Sequence, residues 1–491
     1  MTSLLLRNAR LLGEEEARDV RIVGDRITQI APEGTLRDAV EEFVDLDGRV
    51  LAPGLWDEHV HFTQWTIRRS RFDLSDTRSA ADALNRVREV LSEQDREPGV
   101  SATGYGFRDG TWPDAPSRDA LDAITGGTPV ILISGDLHCA WMNSAAAVRL
   151  GLELDESGLV REGPWLNSPA HLRDASSPTS AKFREAAEAA ARRGVVGIVE
   201  FEHADNLTQW QERIASGIDQ LRIEASIWPE YLDGTIAAGH RTGDPLESRG
   251  LVTMGRLKVV VDGSLNTRTA WCWDPYPGVG AQDPHPCGIA TVPPDELRRL
   301  LSRAVPNGIA PAVHAIGDRA NTEVIDIFEE HGIAGTIEHA QLVSEKDFSR
   351  FGALGLVASV QPEHAMDDRD VADRHWAGRT DRAFAFASLY AGGATLRLGS
   401  DAPVAPLDPW HAIAAATTRS REGREPWHPD QRVPLDVALA ASMRGRTTVT
   451  AGDIADLAIL DVDPRAATAE QLRELPVSGT LVGGRWTWRD L

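Results

Sequence analysis

Residues 50–62 read VLAPGLWDEHVHF and place two histidines, His59 and His61, at alternate positions near the end of a mostly apolar run. Alternate residues of a β-strand point to the same face, so the two imidazoles are predicted to face one side together. Four further polar residues lie in or just after later apolar runs: Lys258 in GRLKVVVDGS, His314 in IAPAVHAIGD, His339 in GTIEHAQ and Asp401 in ATLRLGSDAPV. Imidazole and carboxylate groups are typical metal ligands, so this order predicts a metal site built from several strands.

The apolar runs also indicate the fold class, because eight of them alternate with helical patterns. After the run that carries His59, the predicted strands are 195–203, 220–228, 256–263, 308–315, 334–340, 354–362 and 394–402. Eight parallel βα units predict an α/β protein with a (β/α)8 TIM-like barrel. The alternative, a doubly wound open sheet, needs a glycine-rich phosphate turn after its first strand, and the sequence has none there. The ligand candidates then belong to strands one, four, five, six and eight.

The two ends of the chain share a different pattern, in which short β-like pieces alternate with turns. Residues 1–52 and 445–491 are therefore predicted to form one small composite β unit. Residues 53–444 are assigned to the barrel. Two further β-like runs, VSATGYGF and PVILISGD, precede the second barrel strand, so an inserted substrate region is predicted at about 62–180.

Composition and charge narrow the function classes. The chain has 491 residues and a formal charge of -23, which argues against a nucleic-acid partner because phosphate binding needs a basic face. Three scattered cysteines, without a CxxC pair, indicate a reducing compartment. No uninterrupted apolar run is long enough to cross a bilayer. These observations predict a cytoplasmic protein with a small-molecule substrate and no nucleic-acid or membrane partner; a homodimer is left open.

The small number of lysines in the chain draws attention to Lys258 as a candidate functional residue. Of 51 basic residues only Lys182, Lys258 and Lys346 are lysines. Lys258 precedes three valines, where an unpaired buried ammonium would be costly. Lysine can become a neutral, nucleophilic amine, whereas arginine keeps its proton. The alternative interpretation is a lysine that faces solvent at the start of a strand. Because Lys258 occurs together with the other ligand candidates, we favour a functional role for it.

The ligand types suggest which residues bind each metal ion and which residue carries the proton. His59 and His61 are predicted to hold one divalent ion, and His314 and His339 a second. Lys258, carboxylated by CO₂, can bridge two ions, as can an aspartate or glutamate. Asp262 follows on the same predicted strand face, so which of the two meets the metals stays open, as does a one-metal site. Asp401 lies beside the first strand because a barrel closes on itself, and it can ligate a metal and accept a proton from water.

The sequence resembles the amidohydrolase superfamily over nearly its whole length. The phrases that carry the resemblance are PGLWDEHVHF, DLHCAWMNSAA, LKVVVDGSLNTRTA, VHAIGDRA, IEHAQLV, VASVQPEHA, LGSDAPV and DIADLAILDVDP, and they are similar to the branch of YtcJ-like proteins and N-substituted formamide deformylases. The resemblance implies a distorted barrel with a composite β-sandwich from both termini, and a metal-activated hydroxide with zinc as the usual ion. The positions that match the family metal pattern are His59, His61, Lys258, His314, His339 and Asp401. The chain departs from the pattern at SDAPV, where SDWPV is usual.

The favoured function is therefore metal-dependent hydrolysis of a non-peptide C–N bond, in an amide, N-formyl or cyclic amide substrate. Asp401 is expected to take the proton of the attacking water and return it to the leaving nitrogen. A ring-amine deaminase is the second hypothesis. The same metal-dependent hydrolysis could also act on the substrates of a lactonase, an esterase-type hydrolase or a phosphotriesterase. A non-catalytic scaffold of this fold is the remaining class, and the intact ligand set argues against it.

Five residues are candidates for substrate binding. Active sites of such barrels lie at the carboxyl ends of the strands, and large aromatic side chains suit an apolar or aromatic substrate group. The candidates are His138 and Trp141 in the inserted region, His203 after strand two, Asp262 after strand four and His364 after strand seven. Ordinary core packing is the alternative for any one tryptophan.

Overall fold

The computed structural model describes residues 3–36, 42–69, 71–93, 101–107, 109, 112–134, 139–161, 165, 178–280 and 282–491. The chain forms two compact units, one of Met1–Phe62 with Ala187–Leu491 and one of Thr63–Ala186. No helix among these described residues is long and apolar enough to cross a membrane.

The first unit contains the eight-stranded parallel barrel that the sequence predicts. Its strands, in chain order and in spatial order, are β1 (Leu55–Val60), β2 (Val195–Glu200), β3 (Arg222–Ile227), β4 (Val252–Val260), β5 (Pro311–Ala315), β6 (Thr336–His339), β7 (Val357–Val360) and β8 (Thr395–Leu398). The barrel closes where Val60 bridges Ala402 in parallel, just beyond β8. The predicted fold class is thereby confirmed.

Helices cover the outside of these strands, which explains why strands such as VVGIVE in β2 are apolar at almost every position and fully buried. The α-helices that lie wholly within this unit, among the described residues, are Asn206–Ala215, Leu232–Ala238, Pro294–Ala304, Asp318–His331, Phe348–Leu354, Pro362–Asp367, Arg369–His375, Phe386–Ala391, Pro409–Thr418, Leu435–Ser442 and Ala469–Arg473. The helices Phe62–Arg69 and Ser180–Ala191 cross the boundaries between the two units, after residues 62 and 186. Pro294–Ala304 shows the pattern: it begins with proline, and Leu297, Leu300 and Leu301 form its buried face.

The two chain ends form one further sheet in this unit. Its strands are Ser3–Leu11, Ala17–Val23, Arg26–Pro32, Glu42–Asp45, Val50–Pro53, Leu457–Leu460, Val477–Val482 and Arg485–Arg489. Val50–Pro53 pairs antiparallel with Leu457–Leu460, so a strand from one end of the chain is paired with a strand from the other. This pairing is the composite β unit expected from both termini.

The second unit has a five-stranded sheet of its own, with strands Leu159–Arg161, Cys139–Met142, Val130–Ser134, Ala102–Phe107 and Phe72–Asp73. Helices Ala80–Glu93, Arg118–Thr125 and Ser144–Leu150 belong to it. Trp141 is fully buried in its core, with its ring centroid 6.3 Å from that of Trp112. Core packing therefore accounts for Trp141, which was predicted to bind substrate. His138 lies outside the described residues.

Candidate metal centre

Three of the predicted ligands converge at the carboxyl end of the barrel. His59 is on β1, His339 ends β6 and Asp401 follows β8. One ligand atom from each of the three lies within 4.8 Å of the other two. This distance is short enough for a single divalent ion to be held by all three side chains.

The other predicted ligands surround this group. His61 Nε2 lies 3.3 Å from Asp401 Oδ1, and Lys258 Nζ lies 3.4 Å from His59 Nε2. The rings of His314 and His339 are 4.5 Å apart, centroid to centroid. The tightest group therefore takes one histidine from each of the two pairs proposed from the sequence. Side chains from distant strands meet on the barrel axis, so neighbours in sequence need not bind the same ion.

The backbone at the site departs from regular strand geometry. His339 has φ 74° and Asp401 has φ 56°, values that residues other than glycine seldom adopt. These turns end the alternation of side chains at the strand ends. A Cβ at Gly399 would lie 2.7 Å from the amide nitrogen of His59, so only glycine lets β8 approach β1 this closely. Asp401 N then donates a 2.8 Å hydrogen bond to His59 O across the closure.

Burial favours the neutral form of three histidines of the site, whereas the carboxylate of Asp401 raises the pKa of the fourth, His61. Burial lowers the pKa of His59 and of His339 well below the usual range, and lowers that of His314 to about 3; Lys258 and the neighbouring imidazoles act in the same direction. Burial alone would raise the pKa of Asp401, but His59 and the hydrogen bond from His61 hold it well below its usual range. Neutral imidazoles and an ionised carboxylate are the states in which these groups bind metals.

Lys258 lies among the same groups, at the floor of the site. Its side chain is buried, with Nζ 4.2 Å from the ring centroid of Phe201. Burial lowers the pKa of Lys258 from 10.5 to about 8, although Glu338 and Asp401 oppose the shift. An amine in this environment is far more often uncharged at neutral pH than an exposed lysine.

Glu338 is a functional residue that the sequence reasoning missed. Its Oε2 lies 2.6 Å from Nδ1 of His59, and both side chains are buried. With Nδ1 engaged, Nε2 of His59 faces Asp401, 3.7 Å from Oδ1. Metal-binding histidines commonly carry such a carboxylate on the other nitrogen, where it fixes the ring. A glutamate inside the apolar stretch GTIEHA was the available signal.

Asp262 does not occupy the position expected from strand alternation. Its Oδ1 accepts a 3.0 Å hydrogen bond from Ile316 N, and its Oδ2 accepts 2.8 Å bonds from Trp271 N and Gly317 N. The carboxylate is fully buried, and burial raises its pKa to about 7. Asp262 therefore joins loops and is not among the described residues that line the cavity, although its Oδ1 lies 3.5 Å from Nε2 of the predicted ligand His314. The reason is that β4 ends at Val260, so the alternation rule no longer applies two residues later.

The remaining substrate-binding candidates separate into two cases. His203 has a side chain that is 67% exposed and pairs with Glu230, Nε2 to Oε1 2.8 Å, with its ring edge-on to Trp228. Trp228 lines the cavity above the metal ligands, and His203 is not among the described lining residues. His364 does line it, with Nε2 3.7 Å from Asp401 Oδ2.

That cavity has a volume of 490 Å³, a size typical of small-molecule sites. It is lined by the six predicted ligands together with apolar side chains and a few polar ones; the described lining residues beyond the ligands include Trp228, Val260, Leu265, Ile316, Val404, Gln341, His364 and Asp368. Beyond the predicted ligands, the lining is thus a mixture of apolar and polar side chains.

The residues present fit a divalent metal. Nδ1 of His339 is buried and has no hydrogen-bond partner in the part of the chain that the structure describes. Such an atom would be costly to bury unless a ligand engaged it. The imidazoles of His339 and His59 and the carboxylate of Asp401 form a nitrogen and oxygen donor set that suits zinc and related ions.

Comparison with known proteins agrees with this geometry. The chain is 26% identical to N-substituted formamide deformylase of Arthrobacter pascens, over 95% of this chain and 94% of that protein. It is 27% identical to Protein LONG AFTER FAR-RED 3 of Arabidopsis thaliana, over 99% and 91%. The crystal structure of a metal-dependent hydrolase from Pyrococcus furiosus matches with a TM-score of 0.76 and 26% identity, over 94% of this chain and 99% of that one. A sequence profile of the amidohydrolase family matches residues 42–487, and the chain belongs to that family.

Proposed function

We propose that the chain hydrolyses a non-peptide C–N bond in an amide, N-formyl or cyclic amide substrate. The observation that carries the proposal is the convergence of His59, His339 and Asp401 in a small-molecule cavity, with the orphaned Nδ1 of His339 among them. The similarity to a protein named for deformylation of N-substituted formamides supports the choice of bond.

His59, His339 and Asp401 would hold one ion, for which we propose zinc. His61, His314 and a carboxylated Lys258 would complete a site for a second. A divalent ion, when bound, supplies Lewis-acid polarisation of the substrate carbonyl and brings the pKa of water to about 7.

Asp401 is the group that moves the proton. Its carboxylate accepts a proton from the attacking water while the water oxygen bonds to the carbonyl carbon. The same carboxyl then protonates the leaving nitrogen as the C–N bond breaks, giving a carboxylic acid and an amine. Nε2 of His61 lies 3.3 Å from Oδ1 of this carboxylate, and Nε2 of His364 lies 3.7 Å from its Oδ2.

The test combines metal content with substrate screening. Purified protein is analysed for metal by plasma mass spectrometry, and N-formyl amines, anilides and cyclic amides are assayed for amine release. Asp401→Asn should lower kcat by about 10²- to 10⁴-fold at saturating zinc, because it removes the proton carrier. The control is His285→Asn, which changes an exposed histidine outside the cavity lining.

Each alternative has its own outcome. Full kcat in Asp401→Asn would refute the assignment of the proton carrier. Ammonia from aminated heterocycles without amide cleavage would indicate a deaminase instead, and turnover of lactones alone would indicate an esterase-type enzyme. Bound zinc with no hydrolysis of any class would favour the scaffold hypothesis.

A further inference from the structure

One wall of the cavity is polar, and two of its three residues, Gln341 and Asp368, take no part in the chemistry proposed above. It consists of Gln341, His364 and Asp368, all of which line the cavity. His364 is in the helix Pro362–Asp367, and Asp368 follows one turn later, with its amide donating a 2.8 Å hydrogen bond to His364 O. Residues four apart in such a turn share a face, so the two side chains are neighbours.

The carboxylate of Asp368 lacks the partners that its neighbours have. Asp367 and Asp370 form ion pairs with Arg421 and Arg424, at 2.6 and 2.7 Å. Asp368 occupies the N-cap position of the helix Arg369–His375, yet its side chain makes no capping hydrogen bond. Among the described residues, no side chain or amide forms a hydrogen bond or ion pair with this carboxylate. Neither helix capping nor ion pairing therefore accounts for the carboxylate of Asp368.

Gln341 offers a second free acceptor in the same wall. Its Nε2 lies 3.4 Å from His364 Nδ1, so this contact leaves Oε1 unengaged. That oxygen is buried and has no partner within the ranges that the structure describes. The side chain as a whole is only 4% exposed. A buried amide oxygen without a donor is unfavourable unless a ligand provides one.

Asp368 is half-buried, so its carboxylate also loses part of its contact with water. Loss of water contact raises the pKa of its carboxyl, and His364 only partly opposes this. Among the described lining residues, Lys258 is the single lysine or arginine, and it lies beside His59. A partly desolvated carboxylate is stabilised most strongly by a charge-assisted hydrogen bond from a cation.

We propose that Asp368 and Gln341 form an acceptor subsite that binds a positively charged N–H group of the substrate, such as an ammonium or amidinium. This deepens the proposed function, on which it rests, by naming the substrate class: C–N substrates that carry a second, basic nitrogen. The scissile group lies at Asp401, and the basic nitrogen lies about one helical turn, ~5.4 Å, along from His364. The apolar lining, including Leu265 and Ile316, contacts the carbon skeleton between them.

The test measures binding of two probes of the same shape, benzamidine and benzamide, to the zinc-loaded protein by isothermal titration calorimetry. Benzamidine carries the cation, and benzamide is its neutral counterpart. The wild type should bind benzamidine about 10- to 100-fold more tightly, the range expected for a charge-assisted hydrogen bond. Asp368→Asn should bring this ratio close to one, since the side chain keeps its shape and loses its charge.

Two variants serve as controls. Asp367→Asn neutralises the adjacent exposed carboxylate and should retain the wild-type ratio. Asp368→Glu keeps the charge and should retain a preference for benzamidine. Circular dichroism and zinc content establish that each variant is folded. A preference lost equally in Asp368→Asn and Asp368→Glu would mean that the helix, and not the charge, was responsible, and would overturn the proposal.

The binding assay separates this proposal from the proposed function. A wild-type ratio of one, or an unchanged ratio in Asp368→Asn, overturns the subsite even if neutral amides are hydrolysed. A clear benzamidine preference that depends on Asp368 supports the subsite even if no C–N bond is cleaved, and in that case only the reaction has been assigned wrongly.

Discussion

Lys258 provides the sharpest test of the site, because burial sets its ionisation. Its pKa falls from 10.5 to about 8, a change that corresponds to roughly 3 kcal/mol of preference for the neutral amine. At pH 7.5 about a quarter of the side chains would then be uncharged, compared with roughly one in a thousand for an ordinary lysine. Only the uncharged amine can react with CO₂, so the same shift prepares Lys258 for carboxylation.

Nuclear magnetic resonance can measure this directly, since the chain has only three lysines. Lysine labelled with ¹³C at Cε gives three signals, which Lys182→Arg and Lys346→Arg assign. In metal-free protein the Lys258 signal should titrate with a midpoint near 8. Added ¹³C-bicarbonate should give one carbamate signal, which Lys258→Met abolishes.

Stability provides an independent readout with a defined sign. Between pH 8 and 10.5 the unfolded chain holds a proton on this lysine that the folded chain has lost. Stability of the metal-free wild type should therefore rise with pH across that window, by up to about 3 kcal/mol relative to Lys258→Met. A midpoint near 10.5, or a stability difference independent of pH, would refute the argument that burial lowers the pKa of Lys258.

Two further predictions concern carboxylates around the site. Asp262→Asn should lower the free energy of unfolding by about 2–4 kcal/mol, because one amide oxygen cannot accept hydrogen bonds from three backbone amides, and the zinc content should stay unchanged. Denaturant titration measures the stability and metal analysis measures the zinc content. Loss of zinc with unchanged stability would instead make Asp262 a ligand. Glu338→Gln should weaken zinc binding about 10- to 100-fold by releasing the ring of His59, which competition with a chelator measures; unchanged affinity would show that the contact does not orient His59.

The barrel could be predicted because its strands are covered on both faces. Such strands are continuous apolar runs, and all eight were found in the sequence, with ends that differ from the structure by a few residues. The run predicted at 334–340, for example, forms the shorter strand β6, Thr336–His339. Polar residues at the ends of apolar runs are unusual, and this made His314, His339 and Asp401 visible as site residues.

The arrangement within the site could not be predicted in the same way. Alternation places side chains only while a strand continues, and Asp262 follows the end of β4. At His339 the positive φ brings Glu338 and His339 to the same site, although adjacent strand residues normally point to opposite faces. Trp141 is a large aromatic residue, a type that is common in pockets, and only its packing within its own unit shows that it belongs to a core.

The grouping of ligands depends on how the barrel closes. Asp401 meets His59 because its amide donates to the carbonyl oxygen of His59, and Gly399 permits that approach. The carboxylate that would bind metal is thus placed by a backbone hydrogen bond between the first and last strands. A linear pattern can show that His59 and Asp401 belong to one site. Their distance is fixed only when β8 pairs with β1, so the site is a property of the closed barrel and not of either segment.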